Sequence, residues 1–327
     1  MPDGGSRPED GAVIHIGRGL DLNFTHSSFF FHSAPLTQPV RIGILPNVVS
    51  VVVPAHNEAR VIGRLLGPLV ASPVPGELDV IVVANGCTDD TAEVAASFGP
   101  AVRVLSIPVA SKRAALVAGD RAARSFPRVY VDADVELGLE DVVALSKALQ
   151  RPGTLAGAPA RELALAGRPW VVRWYYDIWA RLPEVRGGLF GRGVIGVSEA
   201  GHARLNSLPP LLADDLAASL VFMPDERVIV PGARVIVHTP RTVGDLMRRR
   251  VRAIVTVSQV ERAEGAPGST ARTRPQDLLG IIRQEPRMAP RAAVFLAVTF
   301  IARLRAYRAV QRRDYTKWQR DESSRGE

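Results

Sequence analysis

The sequence predicts an α/β fold in which a mainly parallel sheet is flanked by helices. Three observations carry that expectation. Apolar, β-branched runs recur at 48–53, 80–84, 102–107 and 129–131; segments of helical spacing, 58–70, 89–98 and 112–125, separate them; and polar residues gather where the runs end. Strands that alternate with helices return through crossovers, which makes neighbouring strands parallel.

Taken in order, residues 1–47 show turn residues, a weak alternation at 12–16 and a Phe29-Phe30-Phe31 cluster, and read as an N-terminal arm. Residues 48–150 hold the strand–helix alternation. After Gln150 it fades, and Trp170, Trp174, Tyr175, Tyr176 and Trp179 fall within ten positions, a spacing that suits ordinary core packing better than a substrate platform. The expected organisation is an arm (1–47), a catalytic domain (48–260, halved at 150) and a linker with a basic helical tail (261–327). Residues 261–275 have loop composition.

The 327 residues, 46% of them apolar, suffice for one large or two modest domains. A single cysteine, Cys87, excludes an intramolecular disulfide, and six dispersed histidines offer no His/Cys metal spacing, so a reducing cytoplasm is expected. The first residues are polar and acidic where a secretory signal needs a basic start and an apolar core. The net charge of +8 is uneven: residues 241–327 carry 19 Lys and Arg against 9 Asp and Glu, or +10, leaving the first 240 near −2.

A nucleic-acid partner is not expected, because the basic stretch has few aromatics and no recognisable nucleic-acid module. An anionic membrane surface is the better partner, reached through 291–320 on the inner face of the cell membrane. The uncharged segment 292–302, between Arg291 and Arg303, falls well short of the ~20 residues needed to span a bilayer. Two readings stay open for it, an interfacial helix with arginines at the headgroups or a core helix packed on the catalytic domain.

The run 129–131 leads into Asp132-Ala133-Asp134. On a strand, residues two apart point to one side, so both carboxylates would meet at the carboxyl end, where open α/β sheets bind ligands. Mg²⁺ and Mn²⁺ take carboxylate oxygens and share their remaining positions with water and substrate phosphates, so two acids suffice for a cation on a diphosphate. Alone, Asp-x-Asp equally well ends a strand in a turn.

The first strand runs into Pro54-Ala55-His56-Asn57-Glu58, whose amides can face an anion or a base. The second runs into Asn85-Gly86-Cys87-Thr88-Asp89-Asp90-Thr91, where Gly86 permits a tight turn and Thr88 or Asp89 can cap a helix. Each loop alone is unspecific. Their order, followed by Ser111-Lys112-Arg113-Ala114-Ala115 and then Asp132-x-Asp134, resembles the nucleotide-sugar half of family 2 glycosyltransferases over roughly 48–255.

That resemblance implies the GT-A fold, a Rossmann-like arrangement for nucleoside-diphosphate sugars, and a transferase of the cell-envelope polysaccharide type. It implies that Pro54, His56 and Glu58 line the base and ribose pocket, that Asn85 stands where the family has an aspartate on the base, that Lys112 lies by the nucleotide, and that Asp132 and Asp134 meet ribose and metal. The family's Asp-Asp-Gly-Ser is here Ala84-Asn85-Gly86-Cys87, which removes two carboxylates and weakens the case for uridine. Asp214-Asp215 looks like the family's Glu-Asp element, with Asp215 in the base position; otherwise an acid pair opening a helix is favourable dipole chemistry. The glycine-rich segment 186–196 would border the acceptor. Arg249 and Arg252 imperfectly match the Gln-x-x-Arg-Trp element and would steady a leaving diphosphate, or belong to a membrane-facing basic helix; Ala253 in place of the Trp speaks against a polymer-threading synthase.

The resulting expectation is an inverting, metal-dependent transfer of a sugar from a nucleoside diphosphate to a hydroxyl on a glycan or lipid-linked acceptor, with Asp215 as general base. The rivals are a sugar-phosphate nucleotidyltransferase, which would normally need a glycine-rich, basic triphosphate loop that 54–58 lacks, and a catalytically silent scaffold.

Overall fold

A computed structural model describes residues 48–71, 78–207, 221–262 and 274–311. The expected arm at 1–47 and most of the expected linker lie outside them. The elements in order are β1 (Val49–Ala55), α1 (Ile62–Val70), β2 (Leu78–Asn85), α2 (Thr91–Ala96), β3 (Val102–Ile107), α3 (Lys112–Ala122), β4 (Arg128–Val131), β5 (Val135–Glu136), α4 (Leu139–Leu149), β6 (Ala156–Ala164), α5 (Trp170–Trp179), α6 (Pro183–Gly187), β7 (Val194–Val197), α7 (Glu199–Asn206), β8 (Arg227–His238), α8 (Val243–Arg262), α9 (Pro275–Gln284) and α10 (Ala289–Gln311).

The eight strands form one sheet in the order β3-β2-β1-β4-β7-β6-β8-β5. β3, β2, β1 and β4 are parallel neighbours, as the alternation predicts. β7 then enters antiparallel between β4 and β6, while β6 and β8 run parallel with a register shift between Pro159 and Ala160. The sheet is therefore mixed.

All seven residues of β1 are buried. Val49, Val51 and Val53 join one core with Ile62, Leu65, Leu66 and Leu69 of α1, whereas Val52 joins another with Ile81, Val83 and Ala115. Because helices cover both faces, the strand is apolar throughout instead of alternating. Each such side chain contributes about 1.5–3 kcal/mol by leaving water.

A further core unites α5, α8, α9 and α10: Tyr175, Tyr176 and Ile178 pack with Leu246, Met247 and Leu278, and with Ala292, Phe295, Val298, Ala302 and Ala306 of α10. Tyr175 stacks on Phe295 at a centroid distance of 5.0 Å. One face of α10 is thus a packed core helix. Core packing also accounts for Tyr175 and Tyr176 of the aromatic run, while Trp170 is exposed.

Candidate active site

The loops after β1, β2 and β4 and the start of α3 meet at the carboxyl ends of the parallel strands. After β1, Asn57 takes a positive φ of 55°, and the amides of Val61 and Ile62 both donate to the Glu58 carbonyl, so α1 begins later than helical spacing suggests. After β2, Gly86 has φ 56°, and a Cβ there would lie 2.6 Å from the Ala110 nitrogen, so only glycine lets this turn sit under the loop that follows β3.

Hydrogen bonds tie the two loops together. The Asn57 side chain accepts from the Thr88 amide (2.8 Å), Thr91 Oγ1 accepts from the Glu58 amide (2.8 Å), and Asp89 accepts from the amides of Ala59 (3.1 Å) and Thr91 (3.2 Å). Asp89 is thus a cross-loop tie that also holds the Thr91 amide, while the N-cap position of α2 is Asp90, without a side-chain cap bond. His56 Nδ1–H donates to the Asn85 carbonyl (2.5 Å), which fixes the ring's tautomer.

The expected donor residues divide by burial. Pro54 lies buried inside β1, opposite Val83, and Glu58 is buried at the loop's end, while His56 is half-buried. Asn85 is 3% exposed, and its amide group donates to the carbonyls of Ala55 (2.7 Å) and Val83 (3.4 Å). Its NH₂ is therefore engaged in joining β1 to β2, and only its oxygen is left for a ligand.

Asp132 and Asp134 follow β4 directly. Along 131–135 burial alternates, with Val131, Ala133 and Val135 inside and the two aspartates half-buried, so both carboxylates face outward although the strand ends at Val131. Lys112, first residue of α3 behind the Ser111 cap, places Nζ 2.7 Å from Asp132 Oδ1. The Asp132 amide donates to the Gly193 carbonyl (2.7 Å). Gly193 has φ 66°, and a Cβ there would meet Val135 at 2.6 Å and Asp132 Oδ2 at 3.3 Å, so the glycine-rich segment runs against the acid pair.

Two features of this corner escape sequence reasoning. The first is His238, whose Nε2 lies 2.6 Å from Glu136 Oε1. β5 pairs with β8 antiparallel through Val135 and Val237, and one further step of that register sets Asp134 opposite His238. The second is a buried arginine, Arg192, and a half-buried one, Arg161, neither with a carboxylate partner among the described residues. Arg192 is 3% exposed and donates to the carbonyls of Gly188, Pro159, Val185 and Arg186; Arg161 donates to those of Gly191 and Val185 and stacks on Trp179 at 4.3 Å. Burial, with Arg192 and Arg249 beside it, pulls the Arg161 guanidinium down to about 9, and burial takes Arg192 to about 10. They clamp the loop that brings Gly193 to Asp132.

Arg249, on α8, donates to the His238 carbonyl (3.2 Å) and so approaches the same corner; Arg252 is exposed on the next turn. Asp214 and Asp215 lie outside the described residues.

Residues 50–197 match the model of glycosyl transferase family 2. That stretch is just under half of the chain, and it is the part that resembles the family. Among curated proteins, 4,4'-diaponeurosporenoate glycosyltransferase of Staphylococcus aureus is 37% identical over 96 residues, 28% of this chain and 20% of that protein, so the chain matches only a fifth of the relative's length. Among solved structures, the chain resembles a mannosyltransferase from Pyrobaculum calidifontis in complex with GDP-mannose and Mn²⁺, at 20% identity and TM-score 0.53 over 86% of this chain and 88% of that one. It also resembles glucosyl-3-phosphoglycerate synthase of Mycobacterium tuberculosis in complex with Mn²⁺ and UDP-glucose, at 23% identity and TM-score 0.50 over 67% and 81%. These likenesses establish the GT-A fold.

The donor set suits a hard cation. Two outward carboxylates stand together, and one already holds a cationic group, the Lys112 ammonium. No cluster of three or more potential ligand side chains occurs among the described residues; Mg²⁺ bound with a substrate diphosphate uses one or two protein carboxylates, with phosphate oxygens and water completing its shell.

Proposed function

We propose that the chain is an inverting transferase that moves a sugar from a nucleoside-diphosphate sugar to a hydroxyl. The observation that carries this reading is the outward Asp132/Asp134 pair, bound by Lys112 and lined by Gly193, at the mouth of a family 2 domain. The relatives' complexes with nucleotide sugars and Mn²⁺ support the same donor class.

In this reading the first two loops take the nucleoside, with His56 and Glu58 on base and ribose, and Lys112 and Asp132 beside the ribose and phosphates. Asp134, aided by Asp132, would hold Mg²⁺ or Mn²⁺, which supplies positive charge to the diphosphate when bound. Arg249 and Arg252 stand on the helix that would face the leaving group. Asp215 removes the acceptor's proton as its oxygen bonds to the anomeric carbon, and the bond from that carbon to the diphosphate breaks on the opposite side. The acceptor is a glycan or a lipid-linked hydroxyl, met at the inner face of the membrane through contact by 291–320.

The test is a thermal-shift series with UDP, GDP, dTDP and their sugar conjugates, each with Mn²⁺, Mg²⁺ or EDTA. Ligand at 100 times its Kd adds about 2.7 kcal/mol of stability. A shift for one nucleoside diphosphate that collapses in EDTA supports the reading; use of a nucleoside triphosphate with pyrophosphate release supports a nucleotidyltransferase instead; no shift at all supports a scaffold. Asp215→Asn is expected to lower turnover about 10²–10⁴-fold while leaving the donor shift intact.

A further inference from the structure

The outward face of α10 is apolar where a solvent-facing helix is polar. Leu296, Phe300, Ile301, Leu304 and Tyr307 are each between 43% and 65% exposed, while Ala292, Phe295, Val298, Ala302 and Ala306 fill the core on the other side. Projected at about 100° per residue, the exposed five cover an arc of roughly 140°, with Arg303 just outside one border and Arg305 just outside the other. Arg308 lies within the arc in the last turn.

Ala289–Gln311 contains four arginines and no acid. Arg291 pairs with Asp177 (3.2 Å), but Arg303, Arg305 and Arg308 form no ion pair among the described residues. No described helix is long and apolar enough to cross a membrane. A second copy of the chain is the wrong occupant, because pairing two such helices sets arginines against arginines with no acid between them.

We propose that this face lies in the surface of an anionic lipid bilayer, with the apolar stripe buried to about 5–10 Å and the arginines spread to the phosphates on either side. Tyr307 suits the interface, having an apolar ring and a polar tip. The inference deepens the membrane-contact reading given above and does not depend on sugar transfer. Because α10 is fixed through its other face to α5 and α8, docking would also fix how the transferase domain is held against the membrane.

The test is co-sedimentation of the full chain, without any sugar donor, with vesicles of phosphatidylcholine alone or mixed with phosphatidylglycerol. Binding is expected only to the anionic vesicles and should weaken with salt; at fixed salt, Arg303→Gln and Arg305→Gln should each weaken it about fivefold. The double variant Phe300→Glu/Leu304→Glu should lose at least about tenfold in binding, with an unchanged melting temperature as the control for folding. Equal binding to both vesicle types, equal binding by that variant, or a dimer of the free protein that the variant abolishes would each overturn the proposal. Failure here leaves the nucleotide shifts unaffected, so the two readings fall separately.

Discussion

Two ion pairs of equal length stand at opposite ends of the parallel strands. At the amino end, Arg103 meets Asp79 at 2.7 Å, and the aspartate is 5% exposed; at the carboxyl end, Lys112 meets Asp132 at 2.7 Å, and the two are 40% and 32% exposed. Asp79 also accepts from Ser50 Oγ (3.3 Å) and the Arg124 amide (3.2 Å), and Arg103 donates onward to the Ala122 carbonyl (3.1 Å). Asp132 has one oxygen on Lys112 and the other beside Gly193. The pair whose carboxylate is enclosed and bonded on both oxygens holds strands together. The pair that is half open keeps bonding capacity for something that arrives later.

That contrast is testable. The largest effect is expected from Asp134→Asn, beside the open pair: turnover of nucleotide sugar should fall by about 10²-fold or more, as when a charge-stabilising group is lost, while the melting temperature moves by no more than about 2 °C. Equal losses in both would place Asp134 among the structural acids. Asp79→Ala should do the reverse. Breaking a buried pair costs about 3–5 kcal/mol, and because Arg103 is one-third exposed a loss of about 2–3 kcal/mol is expected in urea unfolding, with turnover per folded molecule retained.

Lys112→Met sharpens the comparison further. An exposed pair contributes about 0–1 kcal/mol, so stability should barely move, whereas nucleoside diphosphate affinity should drop about tenfold by calorimetry. The smallest effect concerns Asp120, which accepts from Tyr130 (2.8 Å) and Arg128 (2.9 Å) and lies 3.3 Å from His202. Burial raises its carboxyl, but the hydrogen bonds from His202 and Tyr130 and the nearby charges outweigh burial and leave it below the ordinary value. Its contribution is therefore complete above about pH 4 and is lost as pH falls from there through the lower folded value. The melting-temperature gap between wild type and Asp120→Asn should be constant near neutrality and close only in that acid window.

Much of the first half was legible because each parallel strand is a covered apolar run. Val102–Ile107 forms over the residues its pattern marks, and β1, β2 and β4 differ from expectation by one or two positions. Helix starts were less visible, because Glu58 to Val61 and Asp89 to Asp90 are drawn into turns that serve the loops. After Gln150 the signal is lost for a physical reason. β6, Ala-Gly-Ala-Pro-Ala-Arg-Glu-Leu-Ala, has weak strand propensity and owes its form to pairing with β8 across a register shift. In the site, the acid pair and Lys112 were readable from order along the chain. His238 was not, since it reaches Glu136 across 102 positions through a two-residue strand.

The reversal of β7 has a consequence for how this molecule can vary. Because β7 runs against β4, its beginning and the end of β4 coincide in space, and Gly193 bonds to Asp132 from 61 positions away. The chain between them leaves and returns at a single stitched point. Length changed within that excursion, in the turn between β6 and α5 for instance, would not displace the junction. Insertion libraries in that turn should therefore yield folded proteins far more often than insertions between β1 and α1.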